Sequence, residues 1–403
     1  MRGIEIRATA ACLALLLAPA LAVGADDPPG GDTTRAAMDP IFESIRFVLP
    51  LSLDDDRFQD PERRAEILAA LNSLAENGAK LEDHGHSLDA SFGYLSRSLA
   101  RDTAEVRDRY VGGRFAEARF LLLQITDDCV ACHSRLPSDR KFPMGEQFVT
   151  REAILALPLD ERAKLEMATR QFDRAIATHE ALFASPGVSP ATLDLHGHFD
   201  DYLELCIRVR GDFERPVAAF ETFLERDDLH ASLRTNMTRW LAELRSLRER
   251  PPKGPPREQA RTLIRAAESE ERYPNDRSAL VLYVTASSIL HRHVAAAGKP
   301  RADAGEAYYL LGLIESRIGR SFWLSQTEHF LETAIRLDPS QPYAADAYEL
   351  LEEFVVSGYT GSSGSHVPDD VQQRLDELRA LVDESAEPSA APASGANSTR
   401  RSR

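Results

Sequence analysis

The chain has 403 residues, 43% of them hydrophobic, so it is long enough for two or three domains with sizeable buried cores. Its formal net charge of −16 argues against binding to nucleic acid and favours a partner with a basic docking face. Only four cysteines are present, which excludes a disulfide-stabilised scaffold.

The first 25 residues have the features of a secretory signal peptide. A short basic start with Arg2 and Arg7 precedes an apolar stretch from Ala8 to Ala22, and small residues follow it. This stretch is too short and too rich in alanine for a good membrane span, and no later segment is long and apolar enough to cross a bilayer. We therefore expect export to the periplasm without stable insertion into the membrane.

The rest of the sequence predicts an all-α fold, because apolar residues recur at helical spacing and no segment alternates convincingly with period two. Four amphipathic helices with short connections favour an up-down-up-down bundle. Later paired helices, with small residues between them and a proline at the end, indicate a helical repeat array. The predicted divisions are a signal peptide (1–25), a flexible linker (26–36), the bundle (37–140), a second linker (141–157), the repeats (158–358, split at 250–257), a hinge with a capping helix (359–386) and a disordered tail (387–403).

The first helix of the bundle is expected to start at Asp39-Pro40, where a capping residue precedes a proline, and to be short because Pro50 follows. The fourth helix is expected to carry Leu122, Ile125, Cys129 and Cys132 on one face. The two cysteines should therefore face the same core as the leucines.

The segment Asp128-Cys129-Val130-Ala131-Cys132-His133 contains the pattern Cys-x-x-Cys-His. Covalent attachment of haem requires two thiols that add to the two vinyl groups at one edge of the porphyrin, and a two-residue gap on a helix sets that separation. The adjacent His133 then lies under the iron, where an imidazole nitrogen binds both oxidation states. The pattern therefore predicts one covalent haem c held by Cys129, Cys132 and His133.

Two other kinds of site also contain a Cys-x-x-Cys pattern. A thioredoxin-like dithiol follows a β-strand, whereas residues 121–125 have helical spacing. A structural zinc site needs a second close pair of ligands, and Cys206 alone does not supply one. Export favours haem over both, because haem c is attached outside the cytoplasm.

A four-helix bundle with Cys-x-x-Cys-His near the end of its fourth helix resembles the cytochrome c′ family. The resemblance extends from Met38 to Leu136 and is strongest over residues 121–133. It implies a haem lodged in the bundle, with His133 as the proximal ligand and Cys129 and Cys132 as thioether anchors, and it implies a possible homodimer. Residues 158–356 are similar to tetratricopeptide repeats, a family that binds peptides or other proteins.

The resemblance does not define the sixth iron ligand. In an up-down-up-down bundle, the end of helix four lies beside the start of helix one and beside the turn between helices two and three. Met38 falls at the first place and His84 and His86 at the second, while Met144 follows the motif closely enough to fold back over the haem. Each side chain is able to ligate iron, and a five-coordinate iron without any of them is an equal expectation.

These features favour a periplasmic monohaem cytochrome that transfers single electrons and is not an enzyme. A redox partner protein would dock on the repeat region. Two alternatives stay open. One is a haem-based gas-binding or sensor protein whose repeats report the ligand state, and the other is a repeat-based interaction or assembly protein with an accessory haem.

Overall fold

The computed structural model describes residues 31–85, 90–135, 142–272, 276–297, 304–319 and 326–386. Every long element in these ranges is a helix, which confirms the predicted all-α class. The predicted signal peptide (1–25) and disordered tail (387–403) lie outside the described residues. No helix in the described ranges combines the length and the apolar character that crossing a bilayer requires.

The elements follow one another along the chain with short connections. The helices are α1 (Gly31–Ser52), α2 (Asp55–Gln59), α3 (Arg64–Gly85), α4 (Ala90–Val111), α5 (Phe115–Arg135), α6 (Pro143–Val149), α7 (Glu152–Leu155), α8 (Leu159–Ala168), α9 (Phe172–Ala184), α10 (Pro190–Leu195), α11 (His198–Leu203), α12 (Glu214–Leu224), α13 (Ala231–Glu249), α14 (Pro256–Glu270), α15 (Leu280–Ala297), α16 (Gly305–Ile318), α17 (Gln326–Leu337), α18 (Pro342–Gly358) and α19 (Asp369–Ala386). A π-helix (Glu204–Arg210) follows α11, and a 3₁₀ turn (Arg277–Ala279) precedes α15. Two short antiparallel strands, β1 (Thr360–Gly361) and β2 (Gly364–Ser365), occupy the predicted hinge.

The first helix differs from the prediction in both start and length. Residues 31–36, assigned to a flexible linker, are helical, and the helix continues through Pro40 and Pro50. A proline inside a helix removes one hydrogen bond and crowds the preceding turn. Tertiary contacts outweigh this local cost: the helix packs along α3, and Thr34 Oγ1 lies 2.8 Å from His84 Nε2. The predicted start and length were wrong because they relied on the positions of the prolines, which report only local preference. The packing of α1 against α3 depends on residues far away in the sequence.

The segment 141–157, predicted to be a linker, contains the short helices α6 and α7. Phe148, Val149 and Ile154 on these helices are completely buried. Burial of such side chains is worth about 2 kcal/mol each, so the segment is part of the packed fold. Each helix is shorter than the window over which helical spacing is recognisable in a sequence, which explains the wrong prediction.

The buried apolar side chains form two clusters. The N-terminal core lies among α1, α3, α4 and α5 with contributions from α6 and α7, and the C-terminal core extends from the end of α8 to α19. Within the N-terminal part, α1 packs along α3, α3 along α4 and α4 along α5, whereas α1 and α5 touch only sparsely. The seam between α1 and α5 is therefore the loosest side of the N-terminal core.

The last turns of α5 contact both cores. Cys129 and Cys132 pack against the N-terminal core, while Val130 between them packs against the C-terminal core. The helix contacts α8 and the π-helix at residues 204–210 in addition to α4. The Cys-x-x-Cys-His segment therefore lies at the junction of the two cores.

A buried histidine in the C-terminal core makes the acid stability of the fold testable. His179 on α9 is 1% exposed, and neither of its ring nitrogens has a hydrogen-bond partner among the residues that the structure describes. Burial, with a smaller contribution from the nearby His198, lowers the pKa of His179 from 6.5 to about 3. Below pH 6.5 the unfolded chain binds a proton that the folded chain does not, so the stability contributed by neutral His179 is lost as the pH falls from 6.5 towards 3.

The substitution His179→Leu is expected to reduce this acid sensitivity. Between pH 8 and pH 5 the wild-type protein should lose about 2 kcal/mol of unfolding free energy through His179, and the variant should keep it. Urea unfolding at both pH values measures the difference. His196→Leu, at an exposed position, is the control and should leave the pH dependence unchanged. If the free energy of unfolding depended equally on pH in His179→Leu and in the wild type, His179 would not be the source of the acid sensitivity.

Candidate functional site

The C-terminal turns of α5 carry the three side chains of the motif. Cys132 and His133 lie three and four residues beyond Cys129, so all three project from one side of the helix. The three side chains are half-buried, and both sulfurs are thiols rather than halves of a disulfide. One helical face therefore presents two reduced thiols and one imidazole.

The apolar pattern of α5 explains why the cysteines face inward. Ala118, Leu122 and Ile125 are almost completely buried in the N-terminal core. Cys129 and Cys132 continue the same helical stripe and pack against the same core, as the sequence predicted. The helix thus directs both thiols towards the apolar interior rather than towards bulk water.

The imidazole of His133 is fixed by a main-chain group of a neighbouring helix. His133 Nδ1 lies 2.8 Å from the carbonyl oxygen of Ala168, the last residue of α8. A carbonyl oxygen only accepts hydrogen bonds, so Nδ1 carries the proton and Nε2 keeps its lone pair. Burial, together with the positive charge of Arg170, lowers the pKa of His133 to about 3. His133 is therefore a neutral, oriented imidazole, which is the form in which histidine binds a metal.

The electrostatics of Cys129 argue against a redox dithiol. Burial raises the pKa of the Cys129 thiol, and the neighbouring Asp128 raises it further. Reactive Cys-x-x-Cys thiols have a lowered pKa, commonly at a helix N-terminus. Cys129 lies towards the C-terminal end of α5, where the helix dipole disfavours a thiolate. Asp128 is itself buried, and burial together with Asp102 raises its pKa to about 8.

The donor set also differs from that of a structural zinc site. In the described ranges of the chain, no three His, Cys, Asp or Glu side chains are grouped so that they would hold a metal ion. Zinc takes four ligands from the protein in a structural site. A porphyrin brings its own four nitrogens, so a haem needs only one or two protein ligands. Cys129, Cys132 and His133 therefore fit a covalently attached haem better than zinc.

The structure places three of the four sixth-ligand candidates. Met38 and Met144 are half-buried and pack against the same core as the two cysteines. His84 lies at the end of α3, with Nε2 2.8 Å from Thr34 Oγ1 and its ring edge-on to Phe92. His86 lies outside the described residues. The structure thus brings both methionines to the core that the cysteines face. One ring nitrogen of His84, Nε2, already takes part in a hydrogen bond with Thr34.

The C-terminal turn of α8 organises the site, and sequence analysis did not identify it. Ala168 binds His133 through its carbonyl oxygen, and Gln171 Nε2 donates to the carbonyl oxygen of Phe142, 3.1 Å away. The Phe142 ring packs edge-on against Phe42 of α1 at 4.7 Å. The turn therefore holds both the imidazole and the segment that carries Met144. No sequence signal marks Ala168, because every residue has a carbonyl group.

No protein-family model, no curated protein and no solved structure matches the chain.

Proposed function

We propose that the protein is a periplasmic monohaem c-type cytochrome that transfers single electrons. The observation that supports this most is the combination of two thiols on one face of α5 with a neutral His133 whose Nδ1–H is donated to the carbonyl oxygen of Ala168. Cys129 and Cys132 would hold one haem c by adding their S–H groups across its vinyl double bonds, and His133 would bind the iron through Nε2. The haem would supply one-electron chemistry, and the chain would supply attachment, orientation and partial exclusion of water.

The proposal extends to the arrangement of the helices. Helices α1, α3, α4 and α5 would form a haem-bearing four-helix bundle similar to cytochrome c′, since α1 packs along α3, α3 along α4 and α4 along α5. Helices α8 to α18 would form tetratricopeptide-like repeats, since consecutive helices such as α8 and α9, and α16 and α17, pack against each other. Helix α19 would cap the array, because its Leu375 and Leu378 are completely buried.

The repeat region would dock the redox partner protein. The net charge of −16 favours a partner with a basic docking face over nucleic acid. A homodimer through the first helices is part of the resemblance to cytochrome c′ and is proposed on that ground alone. The N-terminal segment with the features of a signal peptide supports a periplasmic location.

The protein produced in a host that attaches c-type haem is the direct test. We expect its intact mass to exceed that of the mature polypeptide by one haem, and the reduced protein to show the sharp visible bands of a haem whose two vinyl groups are saturated. A colourless protein with the polypeptide mass alone would overturn the proposal. A low-spin spectrum lost in Met38→Leu or in Met144→Leu would identify the sixth ligand.

A second candidate function, a haem-based gas sensor, is supported by the position of the motif. The last turns of α5 contact α8, the π-helix and α16, so a change at the iron has a short physical route to the C-terminal core. Carbon monoxide binding to the reduced protein separates the two functions. A five-coordinate iron that binds carbon monoxide favours the sensor, and a six-coordinate iron that ignores it favours electron transfer.

A further inference from the structure

A cleft of about 520 Å³ lies at the surface of the C-terminal core, and none of the Cys-x-x-Cys-His residues lines it. Residues of α14, α16 and α18 and of the turn between α17 and α18 form its walls, and α16 packs against both α14 and α18. The rings of Tyr309 and Tyr343 lie nearly parallel in it, with their centroids 6.2 Å apart. A side-chain carbon at Gly305 would collide with the Tyr343 hydroxyl, so this glycine allows the ring to lie against α16. The three helices therefore present two half-buried aromatic rings in one cleft.

The charged side chains that line the cleft give it a net negative charge. Glu306 pairs with Arg257 at 3.3 Å and also with Arg261, so this carboxylate and the two guanidinium groups hold one another. Asp338 and Asp346 line the same cleft, and neither forms an ion pair within the described part of the chain. Three carboxylates therefore outnumber two guanidinium groups in the lining.

The two aspartates act on the two tyrosine rings. Burial, followed by the charge of Asp338, raises the pKa of Tyr343 to about 12, and burial followed by Asp346 raises the pKa of Tyr309. A guanidinium forms charge-assisted hydrogen bonds with a carboxylate and stacks on the face of a tyrosine. The cleft therefore suits an arginine side chain, whereas an anion would be repelled by the aspartates.

The last described helix, α19, ends near this cleft. Arg374 Nη2 lies 2.5 Å from Glu328 Oε2 near the start of α17, whereas Arg379 Nε lies 3.1 Å from the Tyr348 hydroxyl in the first half of α18. A short turn joins α17 to α18, so α17 starts beside the end of α18, and α19 runs from that end towards the start of α18. Ala386, where α19 ends, therefore lies towards the N-terminal end of α18, which lines the cleft.

The tail that follows α19, residues 387–403, is basic and long enough to reach the cleft. It lies outside the described part of the chain, its residues 400–403 read Arg-Arg-Ser-Arg, and its one acidic side chain is Glu387. Because an extended chain spans about 3.4 Å per residue, residues 387–400 cover up to about 45 Å. Helix α18 is about 25 Å long at about 1.5 Å per residue, so the arginines of the tail can reach any point along it.

We propose that residues 400–403 of this chain bind in the cleft, with an arginine side chain on the tyrosine rings and against the two aspartates. This binding is independent of haem and goes beyond the proposed function. A partner with a basic docking face would compete with the tail for the same cleft. The tail would therefore limit docking until a partner displaces it.

Trypsin cleavage after Arg400 and Arg401 in the full chain, followed by intact mass, measures whether the tail is bound. An arginine held in the cleft is protected from the protease, and a short linker gives an effective concentration in the millimolar range, so even weak binding protects the tail about tenfold. The double variant Asp338→Asn with Asp346→Asn should therefore lose the tail about tenfold faster than wild type. Asparagine keeps the size of aspartate and still accepts the hydrogen bonds of the turn before α18, so this variant should fold.

The matched control is the double variant Glu225→Gln with Asp227→Asn, which removes the same charge from exposed positions after α12. It should lose the tail at the wild-type rate. A labelled peptide of residues 397–403 gives a second measurement. It should bind a chain that ends at Ala396, and it should bind the full chain more weakly because the tail competes.

Two outcomes would overturn the proposal. If the wild type and the cleft variant lose the tail at the same rate, and the peptide binds neither length of chain, the cleft does not bind these arginines. If the peptide binds the shorter chain but the tail of the full chain is not protected, the cleft accepts a basic segment of another molecule and not the tail. Neither measurement involves haem, so a failure here leaves the cytochrome proposal standing, and protein without haem leaves this inference standing.

Discussion

Replacing Cys129 and Cys132 together with serine is expected to abolish covalent attachment of haem. A hydroxyl does not add to a vinyl group under conditions in which a thiol does, so the doubly substituted protein should have the mass of the polypeptide alone. Each single substitution should retain one thioether. The two cysteines face the same core and lie about one helical turn apart, so we expect either sulfur to form its thioether without the other.

The absorption spectrum of the alkaline pyridine complex distinguishes these states. Each unreacted vinyl group extends the conjugation of the porphyrin, so Cys129→Ser and Cys132→Ser should both shift the visible band of the reduced complex to longer wavelength than wild type. Denaturing gel electrophoresis with haem staining should show colour in the wild type and none in the double variant. Haem that remains attached in the double variant would contradict the assignment of the thiols.

Cys206 provides a matched control in the same chain. It is a free thiol that is completely buried in the C-terminal core. Its substitution by serine replaces a thiol that is hydrogen-bonded to Tyr202 with a smaller, more polar hydroxyl in the buried core and should lower stability by about 1–3 kcal/mol. It should leave the haem content and the visible spectrum unchanged. Loss of haem in Cys206→Ser would mean that general destabilisation, and not loss of a thioether, explains the other variants.

Much of the site was predictable because its side chains lie on one regular helix. The three- and four-residue spacing of Leu122, Ile125, Cys129 and Cys132 specifies a helical face, and the structure places that face on the N-terminal core. Such features depend on periodicity within a single element, which a sequence displays directly.

The features that the sequence did not predict depend on contacts between distant segments. Pro40 and Pro50 are strong local signals for a short helix, but packing along α3 keeps α1 continuous through both. The hydrogen bond between His133 and the Ala168 carbonyl joins residues 35 positions apart and involves a main-chain atom. These features arise when the chain is folded and have no counterpart in residue spacing.

Arg135 is expected to be essential for the contact between α5 and the C-terminal core. It lies two residues beyond His133, and its Nη2 is 3.8 Å from Glu315 Oε1 on α16, with both side chains more than nine-tenths buried. Its guanidinium also lies over the ring of Phe330, 5.9 Å from the centroid. Removing one partner of such a buried pair leaves the other charge without compensation in a poorly hydrated interior.

We therefore expect Arg135→Met to lower the free energy of unfolding by about 3–5 kcal/mol, as measured by urea denaturation. Glu315→Gln should restore much of that loss when combined with Arg135→Met, because residue 315 then no longer carries a buried charge that has lost its Arg135 partner. Arg63→Met is the control: Arg63 and Asp60 lie 3.9 Å apart at the surface, and this loss should stay below about 1 kcal/mol. If Arg135→Met and Arg63→Met cost the same, the buried pair does not join α5 to the C-terminal core, and the proposed coupling between the Cys-x-x-Cys-His segment and that core loses its physical basis.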